Sequence, residues 1–359
     1  MINHSLNDAT QVAILPKLKQ TEELITYAIK KETGQETDVE ITAMPDLGLA
    51  NNAVRMRGGF FTGMFVQWES RIPFIPVDST INSCGVSVFS LRDEITQEQF
   101  IHCISQAKEQ IGTMGYHWNF ERGNHFISLC RLPHGQQCIV MHASADEYKK
   151  SIVGKSLYPV PGVWYYDKIK VAFNPDDRGR YLRYLAGIDA ERFAEIAVGL
   201  ESVNHTRMSS IADLAFGNLI EEELLFVPHY GMPSPSSVAI GCAWKSDHSI
   251  LLTRPQEKIY IIKPTQEHTP SVWLTPHGLG ACVPSPKVFY CCGALYINGV
   301  KIETDEDVYG LQGKKIRMLS ADHKDDKPQV ERILGMCNAD IDVELTQIVS
   351  LNHEGFVKN

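Results

Sequence analysis

Short apolar runs that end at turn residues recur along this chain of 359 residues, and they restrict its fold more than any other feature. Runs of this length, bounded by glycine, proline or asparagine, are typical of β-strands. Strands are predicted at residues 86–91, 125–132, 137–143, 237–243, 249–253, 258–263 and 287–302. The last run contains Asn298-Gly299, a pair that favours a two-residue hairpin turn. Between residues 44 and 85, repeated glycines predict loops and short strands.

Helical spacing of apolar residues is clear in three segments. Residues 18–33 have an amphipathic pattern, and Gly34 predicts where that helix ends. Thr96 is a favourable N-cap for a second helix that runs to Ile111, and residues 181–215 are predicted to be largely helical. Strands outnumber helices, so the pattern predicts a mixed α+β fold with a central β-rich core and surrounding helices.

Nothing in the sequence divides the chain. No linker rich in proline, serine or glycine interrupts it, so one large domain over residues 1–359 is predicted. The hydrophobic fraction of 43% is enough for a sizeable core, and no run of about 18 apolar residues predicts a membrane span. The first residues lack the basic and apolar stretches of a secretory signal, so a cytoplasmic location is expected.

Cysteine usage and charge argue against several classes of protein. The nine cysteines are odd in number and lack Cys-x-x-Cys spacing, which argues against a disulfide framework and against a zinc ribbon. The formal net charge of −9 argues against a generally basic nucleic-acid-binding surface. An RNA partner would therefore have to bind a local basic patch.

Five side chains that suit transition metals share one kind of setting, at strand ends or glycine turns. Imidazole and thiolate are good ligands for such metals, and strand ends hold side chains rigidly. The gaps between these residues match no metal-binding motif, so spacing alone leaves a structural role open for each of them. The candidates are Cys84, His125, His142, His229 and His277.

The order and the local sequences of the segments around these candidates resemble those of the RtcB family of metal-dependent, GTP-using RNA ligases. Gly123-Asn124-His125-Phe126 is similar to the family's GNHF signature, and His277-Gly278-Leu279-Gly280 is similar to its HGAGR motif. The other similar pieces are Met44-Pro45-Asp46 (MPD), Gly58-Gly59 (GG), Cys84-Gly85 (CG), His142 (HSGSR), His229 (HN) and Gly355-Phe356-Val357-Lys358 (GVVKG).

The resemblance implies a pair of Mn²⁺ ions. Cys84 would bridge them as a thiolate, His125 would complete one ion's site, and His142 and His229 would complete the other. His229 has a competitor for its role, because His248 lies 19 residues further along the chain. Two cations would ensure that the bridging thiol is deprotonated.

The resemblance also implies the nucleotide chemistry. His277 would take GMP from GTP as a phosphoramidate, Asn124 would help hold the nucleotide, and Lys358 would contact guanine. An imidazole can attack phosphorus when metal ions neutralise and align the triphosphate. The GMP would then pass to an RNA 3′-phosphate, and a 5′-hydroxyl would displace it. RNA ends, tRNA among them, are the implied partners, and a helper protein for guanylylation is a further candidate.

Several charged family positions are changed in this chain. The aspartate three residues before the cysteine is Ile81, unless an insertion brings Thr80 or Asp78 into its place, and the glutamate after GNHF is Ser128. Asp146 and Ala281 stand at two positions where the family has arginines, and Lys245 is the nearest basic candidate downstream of His229. Each lost arginine would remove about 1–3 kcal/mol of charge-assisted hydrogen bonding to phosphate.

The predicted function is a Mn²⁺- and GTP-dependent RNA ligase that joins 3′-phosphate or 2′,3′-cyclic phosphate ends to 5′-hydroxyl ends. One alternative is an altered paralogue that binds metal, nucleotide or RNA ends without ligation. Another is a metal-dependent cyclic-phosphate hydrolase, which would need the metal but not His277 as a nucleophile.

Overall fold

The computed structural model describes residues 1–50, 52–145, 147, 156–173, 180–244, 247–254, 256–265, 273–280, 286–302 and 327–358. Over these residues the fold is mixed α+β, with sheets at the centre and helices around them, which confirms the predicted class. The described helices are α1 (Ala9–Thr33), α2 (Ala53–Arg57), α3 (Gln97–Gln110), α4 (Ile188–Ala197), α5 (Leu200–Phe216) and α6 (Lys327–Met336).

The strands form two larger sheets and three small ones. The described strands are β1 (Ile2–Asn3), β2 (Val39–Gly48), β3 (Thr62–Trp68), β4 (Phe74–Pro76), β5 (Gly85–Leu91), β6 (Phe126–Arg131), β7 (Gln137–Ala143), β8 (Lys170–Phe173), β9 (Tyr181–Ala186), β10 (Ile220–Pro228), β11 (Tyr230–Ser234), β12 (Ser237–Ile240), β13 (Cys242–Ala243), β14 (Ser249–Leu251), β15 (Lys258–Pro264), β16 (Thr275–Pro276), β17 (Val288–Cys291), β18 (Ala294–Ile297), β19 (Val300–Ile302), β20 (Ala339–Asn352) and β21 (Gly355–Lys358).

Local capping chemistry defines the ends of α1. The Asp8 side chain accepts a hydrogen bond from Gln11 N at 2.8 Å, and the Gln11 side chain accepts one from Asp8 N at 3.3 Å. This capping box starts the helix well before residue 18, where the apolar pattern alone placed it. The helix ends as predicted at Gly34, which has a φ of 70° and donates its N–H to Lys30 O.

The largest sheet has the strand order β10-β5-β7-β6-β20-β15-β14, with β21 paired to β20, and its pairings are antiparallel. The predicted hairpin of β6 and β7 lies at its centre. Within the sheet, His142 pairs with both Val86 and Phe126, and Gly85 pairs with Pro228. The adjoining ends of β10, β5, β7 and β6 therefore lie side by side at one end of the sheet.

A second sheet has the order β1-β2-β3-β12-β11, and its strands β2 and β3 contain part of the glycine-rich segment of residues 44–85. Of the smaller sheets, β13 with β16 brings residues 242–243 beside residues 275–276. The sheet β17-β18-β19 contains the predicted turn, where Asn298 and Gly299 have φ values of 51° and 79°. Both values are positive, as a type I′ hairpin turn requires, so this prediction is confirmed.

The prediction of helix over residues 181–215 is wrong at its beginning. Tyr181–Ala186 forms β9, which pairs with β4 and β8. Leu182 and Tyr184 are buried, while Arg183 between them extends to a buried carboxylate. This alternation has the period of a strand, and Gly187, with a φ of 66°, ends the strand before α4 begins.

The largest core cluster joins α1 to the second sheet and to β4 and β9, and two further clusters lie on the two faces of the large sheet. One face of β6 and β7 packs with α3 and α5, whereas the other face forms a cluster with β5, β10, β14, β15 and β20. No helix within the described ranges has both the length and the apolarity needed to cross a bilayer.

Candidate metal centre

Strand alternation places three of the predicted metal ligands on one face of the large sheet. In β7, Cys138 and Val140 face one hydrophobic cluster, and His142 continues that series. Cys84, just before β5, and His229, just after β10, continue the same series in their own strands. Three distant segments thus meet because their strands are neighbours in the sheet.

The three ligand atoms are close together and buried. His142 Nε2 lies 3.1 Å from Cys84 Sγ and 3.1 Å from His229 Nε2, and all three atoms lie within 4.8 Å of one another. A tetrahedral ion with bonds of about 2.0–2.3 Å would hold such atoms about 3.3–3.6 Å apart. The two separations that involve His142 are a few tenths of an ångström shorter than this, so Cys84, His142 and His229 could hold one metal ion after a small adjustment.

Backbone carbonyls orient two of the rings. His142 Nδ1 lies 2.9 Å from Asn124 O, and His125 Nδ1 lies 3.1 Å from Asn119 O. A carbonyl oxygen only accepts hydrogen bonds, so each Nδ1 carries the proton and each Nε2 keeps its lone pair. Both lone pairs face Cys84 Sγ, which is the tautomer that a metal ligand needs.

The cluster is electrically neutral when it holds no metal. Burial holds the pKa of His142 and of His229 well below the usual range, and neighbouring histidines lower both pKa values further. Burial raises the pKa of the Cys84 thiol to about 12, although the positive charges of Arg55 and Arg207 oppose this rise. Without a metal, the single lone pair of His142 Nε2 faces both Cys84 Sγ and His229 Nε2. A bound cation would instead accept an electron pair from each of the three side chains.

His125 approaches Cys84 separately from the other histidines. Its Nε2 lies 3.5 Å from Cys84 Sγ, and its ring centroid is 5.2 Å from that of His142. The sulfur is therefore near the Nε2 atoms of both His125 and His142. His125 is only partly buried, and it lies before β6 rather than within the strand.

His277 lies beside the cluster and is held by a buried carboxylate. Its ring stacks on that of His229, with centroids 5.0 Å apart. Its Nδ1 is 2.6 Å from Asp46 Oδ2, and its backbone N–H donates to the same oxygen at 3.2 Å. Because Asp46 accepts a hydrogen bond from Nδ1–H, the lone pair of the neutral ring lies on Nε2.

The structure brings some other predicted residues to the site and leaves others outside it. Asn124 orients His142 through its backbone, and its side chain is exposed. Lys358 lies at the surface with Nζ 3.5 Å from Glu98 Oε1, and it is not joined to the cluster. His248, the competitor of His229, is also at the surface, with Nε2 3.3 Å from Asp342 Oδ2.

No carboxylate replaces the one missing at Ile81, as far as the described residues extend. Ile81 is buried in the hydrophobic core. Asp78 is engaged by Arg183, whose Nε lies 2.9 and 3.0 Å from its two oxygens, and Thr80 is bonded to the hydroxyl of Tyr230. Within the described residues, a second ion beside Cys84 and His125 would therefore have no carboxylate ligand from this segment.

The remaining changed positions fall into two groups. Ser128 is buried within the sheet, where its hydroxyl bonds to Ser350 at 2.6 Å and to Gln347 at 3.2 Å. Its role there is structural, since it joins β6 to β20. Asp146, Lys245 and Ala281 lie outside the described residues.

Two residues at the site were not assigned a role from the sequence. Asp46 was noted only as part of a similar motif, although it orients His277. Arg55, in α2, has no motif around it, and only its burial and contacts distinguish it from other arginines.

No family model matches this sequence, and no curated protein matches it significantly. The geometry itself establishes a buried cysteine–histidine cluster that can hold a metal ion, next to an aspartate–histidine pair.

Proposed function

We propose that this chain is an RtcB-like RNA ligase that uses Mn²⁺ and GTP to join RNA 3′-phosphate or 2′,3′-cyclic phosphate ends to 5′-hydroxyl ends. One observation carries the proposal. The cysteine and four histidines selected by the motif resemblance, from segments far apart in the chain, lie in one connected group. A set of unrelated structural histidines would have no reason to converge.

His277 acts as the nucleophile in this proposal. Its Nε2 lone pair attacks the α-phosphorus of GTP, the N–P bond forms, and the bond to pyrophosphate breaks. An oxygen of the RNA 3′-phosphate then displaces His277 from the GMP phosphorus, and the 5′-hydroxyl oxygen displaces GMP from the RNA phosphate. Asp46 keeps the Nδ1 proton in place, so Nε2 needs no deprotonation before the first attack.

Cys84, His142 and His229 would hold the ion, which would supply positive charge against the triphosphate. The two rings are already neutral, and the thiol must lose its proton for binding. The N/N/S donor set also suits zinc, so metal analysis of the purified protein has to distinguish Mn from Zn.

The decisive experiment is covalent labelling with GTP. Metal-loaded protein incubated with α-³²P-GTP should acquire an acid-labile label, which His277→Ala abolishes and Asp46→Asn reduces. His248→Ala is the matched control, because its ring lies at the surface away from the cluster, and it should label like the wild type. Absence of label in wild-type protein with full metal content would refute the ligase proposal.

A second candidate function needs only one metal ion. It is favoured by the lack of a free carboxylate near Cys84 among the described residues, where Ile81 is buried in the core and Asp78 is paired with Arg183. With one well-formed metal position, the chain would open cyclic phosphates without guanylylation or would bind RNA ends without turnover. Opening of a 2′,3′-cyclic phosphate that persists in His277→Ala would support hydrolysis, and binding with no product would support the non-catalytic alternative.

A further inference from the structure

Arg55 is a buried cation with an incomplete set of partners. It is 6% exposed, and no carboxylate in the described part of the chain forms an ion pair with it. Its Nη2 donates to Thr62 Oγ1 at 2.8 Å, and its guanidinium carbon lies 5.0 Å from the centroid of the Tyr230 ring. Its Nε is buried and has no hydrogen-bond partner.

Arginines elsewhere in this fold show how such a charge is accommodated. The buried Arg207 is paired with Glu147 at 3.1 Å, the half-buried Arg183 is paired with Asp78, and the buried Arg180 donates to Lys17 O at 3.1 Å and to Thr21 Oγ1 at 2.7 Å. A buried guanidinium without an anion is costly, because it loses hydration without gaining a counter-charge. Thr62 and the Tyr230 ring hold Arg55 in position, but among the described residues no anion compensates its charge.

The contacts of Arg55 place it near both the metal cluster and His277. Tyr230, on which it stacks, directly follows the ligand His229. Thr62, to which it donates, flanks Gly241 together with His277: a Cβ on Gly241 would lie 2.7 Å from Thr62 Cγ2 and 3.0 Å from His277 Cε1.

We propose that Arg55 is the phosphate-binding residue of this site and that its Nε and guanidinium edge contact a phosphate group held beside Cys84 and His277. Guanidinium groups bind phosphate through paired, charge-assisted hydrogen bonds, and a dianionic phosphate would supply the missing counter-charge. This inference rests on the proposed function for the identity of the phosphate. Arg55 would supply a cation to a chain that has Asp146 and Ala281 at two sequence positions where the similar family has arginines.

Calorimetry with inorganic phosphate on metal-loaded protein tests the subsite directly. Arg55→Met should weaken phosphate binding about tenfold or more, which corresponds to the loss of about 1.4 kcal/mol of charge-assisted hydrogen bonding. Arg192→Met is the matched control, since this exposed arginine stacks on Trp164 and its loss removes the same charge. Metal content and melting temperature show whether each variant is folded.

Two outcomes would overturn the inference. One is wild-type phosphate affinity in a folded, metal-loaded Arg55→Met variant. The other is an Arg55 Nε–H NMR resonance of the wild-type protein, assigned with Arg55→Lys, that does not move while phosphate binds. The second measurement decides the matter even when Arg55→Met does not fold.

Further titrations distinguish the source of the phosphate and separate this inference from the ligase proposal. Loss of affinity for GTP in Arg55→Met assigns the subsite to the nucleotide, whereas loss of affinity for an RNA 3′-phosphate, with a 3′-hydroxyl RNA as control, assigns it to the RNA end. Arg55-dependent phosphate binding without GTP labelling would leave the subsite standing and refute ligation.

Discussion

Gly241 lies beside His277. Its replacement by alanine tests whether the position of His277 matters independently of the metal ligands. Gly241 has a φ of 68°, so an alanine there costs about 1–2 kcal/mol of backbone strain. The added Cβ would also lie 2.7 Å from Thr62 Cγ2 and 3.0 Å from His277 Cε1. Such overpacking costs about 1–3 kcal/mol and requires both the Thr62 and the His277 side chains to shift.

Gly34→Ala is the matched control, because Gly34 has a φ of 70° and nothing within 4 Å of the added Cβ. Chemical denaturation should show a loss of about 1–2 kcal/mol in the control and about 2–5 kcal/mol in Gly241→Ala, from the strain and overpacking costs together. The difference measures the contact with Thr62 and His277.

Metal content should be unchanged in Gly241→Ala, because the three atoms nearest the added Cβ belong to Thr62, His277 and Gly63 and not to Cys84, His142 or His229. GTP labelling should fall strongly, since the His277 ring is displaced. Full labelling with the expected loss of stability would refute the assignment of His277 as a positioned nucleophile, and equal stability losses in the two variants would refute the predicted contact.

Two further predictions concern the metal ligands. Cys84→Ser should abolish stoichiometric metal binding measured by elemental analysis, while Cys103→Ser, at a half-buried cysteine in α3, leaves it unchanged; retained metal in Cys84→Ser would make the cysteine a core residue. The metal-free protein should lose stability as pH falls below about 6.5, because His142 and His229 have lowered pKa values when folded and the unfolded chain binds more protons there. Two such groups give a slope of up to about 2.7 kcal/mol per pH unit, and a melting temperature in chelator that stays constant from pH 7 to pH 5 would contradict the neutral buried rings.

Features whose causes lie within a few residues were predictable from the sequence. Gly34 ends α1 and Thr96 caps α3, because capping bonds span three or four positions. The hairpin of β6 and β7 and the turn at Asn298-Gly299 are local in the same sense. Where two periodicities compete the prediction fails, and Tyr181–Ala186 became a strand through pairing with β4 and β8.

The candidate site depends on contacts between distant segments. Sequence similarity selected the cysteine and the histidines, but only the order β10-β5-β7-β6 explains why Cys84, His142 and His229 share one face while His125 approaches from the side. Their spacing along the chain carries no such information, because strand pairing is decided by which apolar faces can be buried together.

The sequence by itself determined the chemistry available to this protein: its soft metal ligands, a histidine in a glycine turn, and the absence of several charged groups. Only the tertiary structure decided how that chemistry is arranged. It gave His142 a backbone carbonyl and His277 the Asp46 carboxylate, and it buried Arg55 with no carboxylate partner in the part of the chain that the structure describes. Burial and hydrogen bonding set the charge and orientation of these groups, and both depend on which residues the fold brings together.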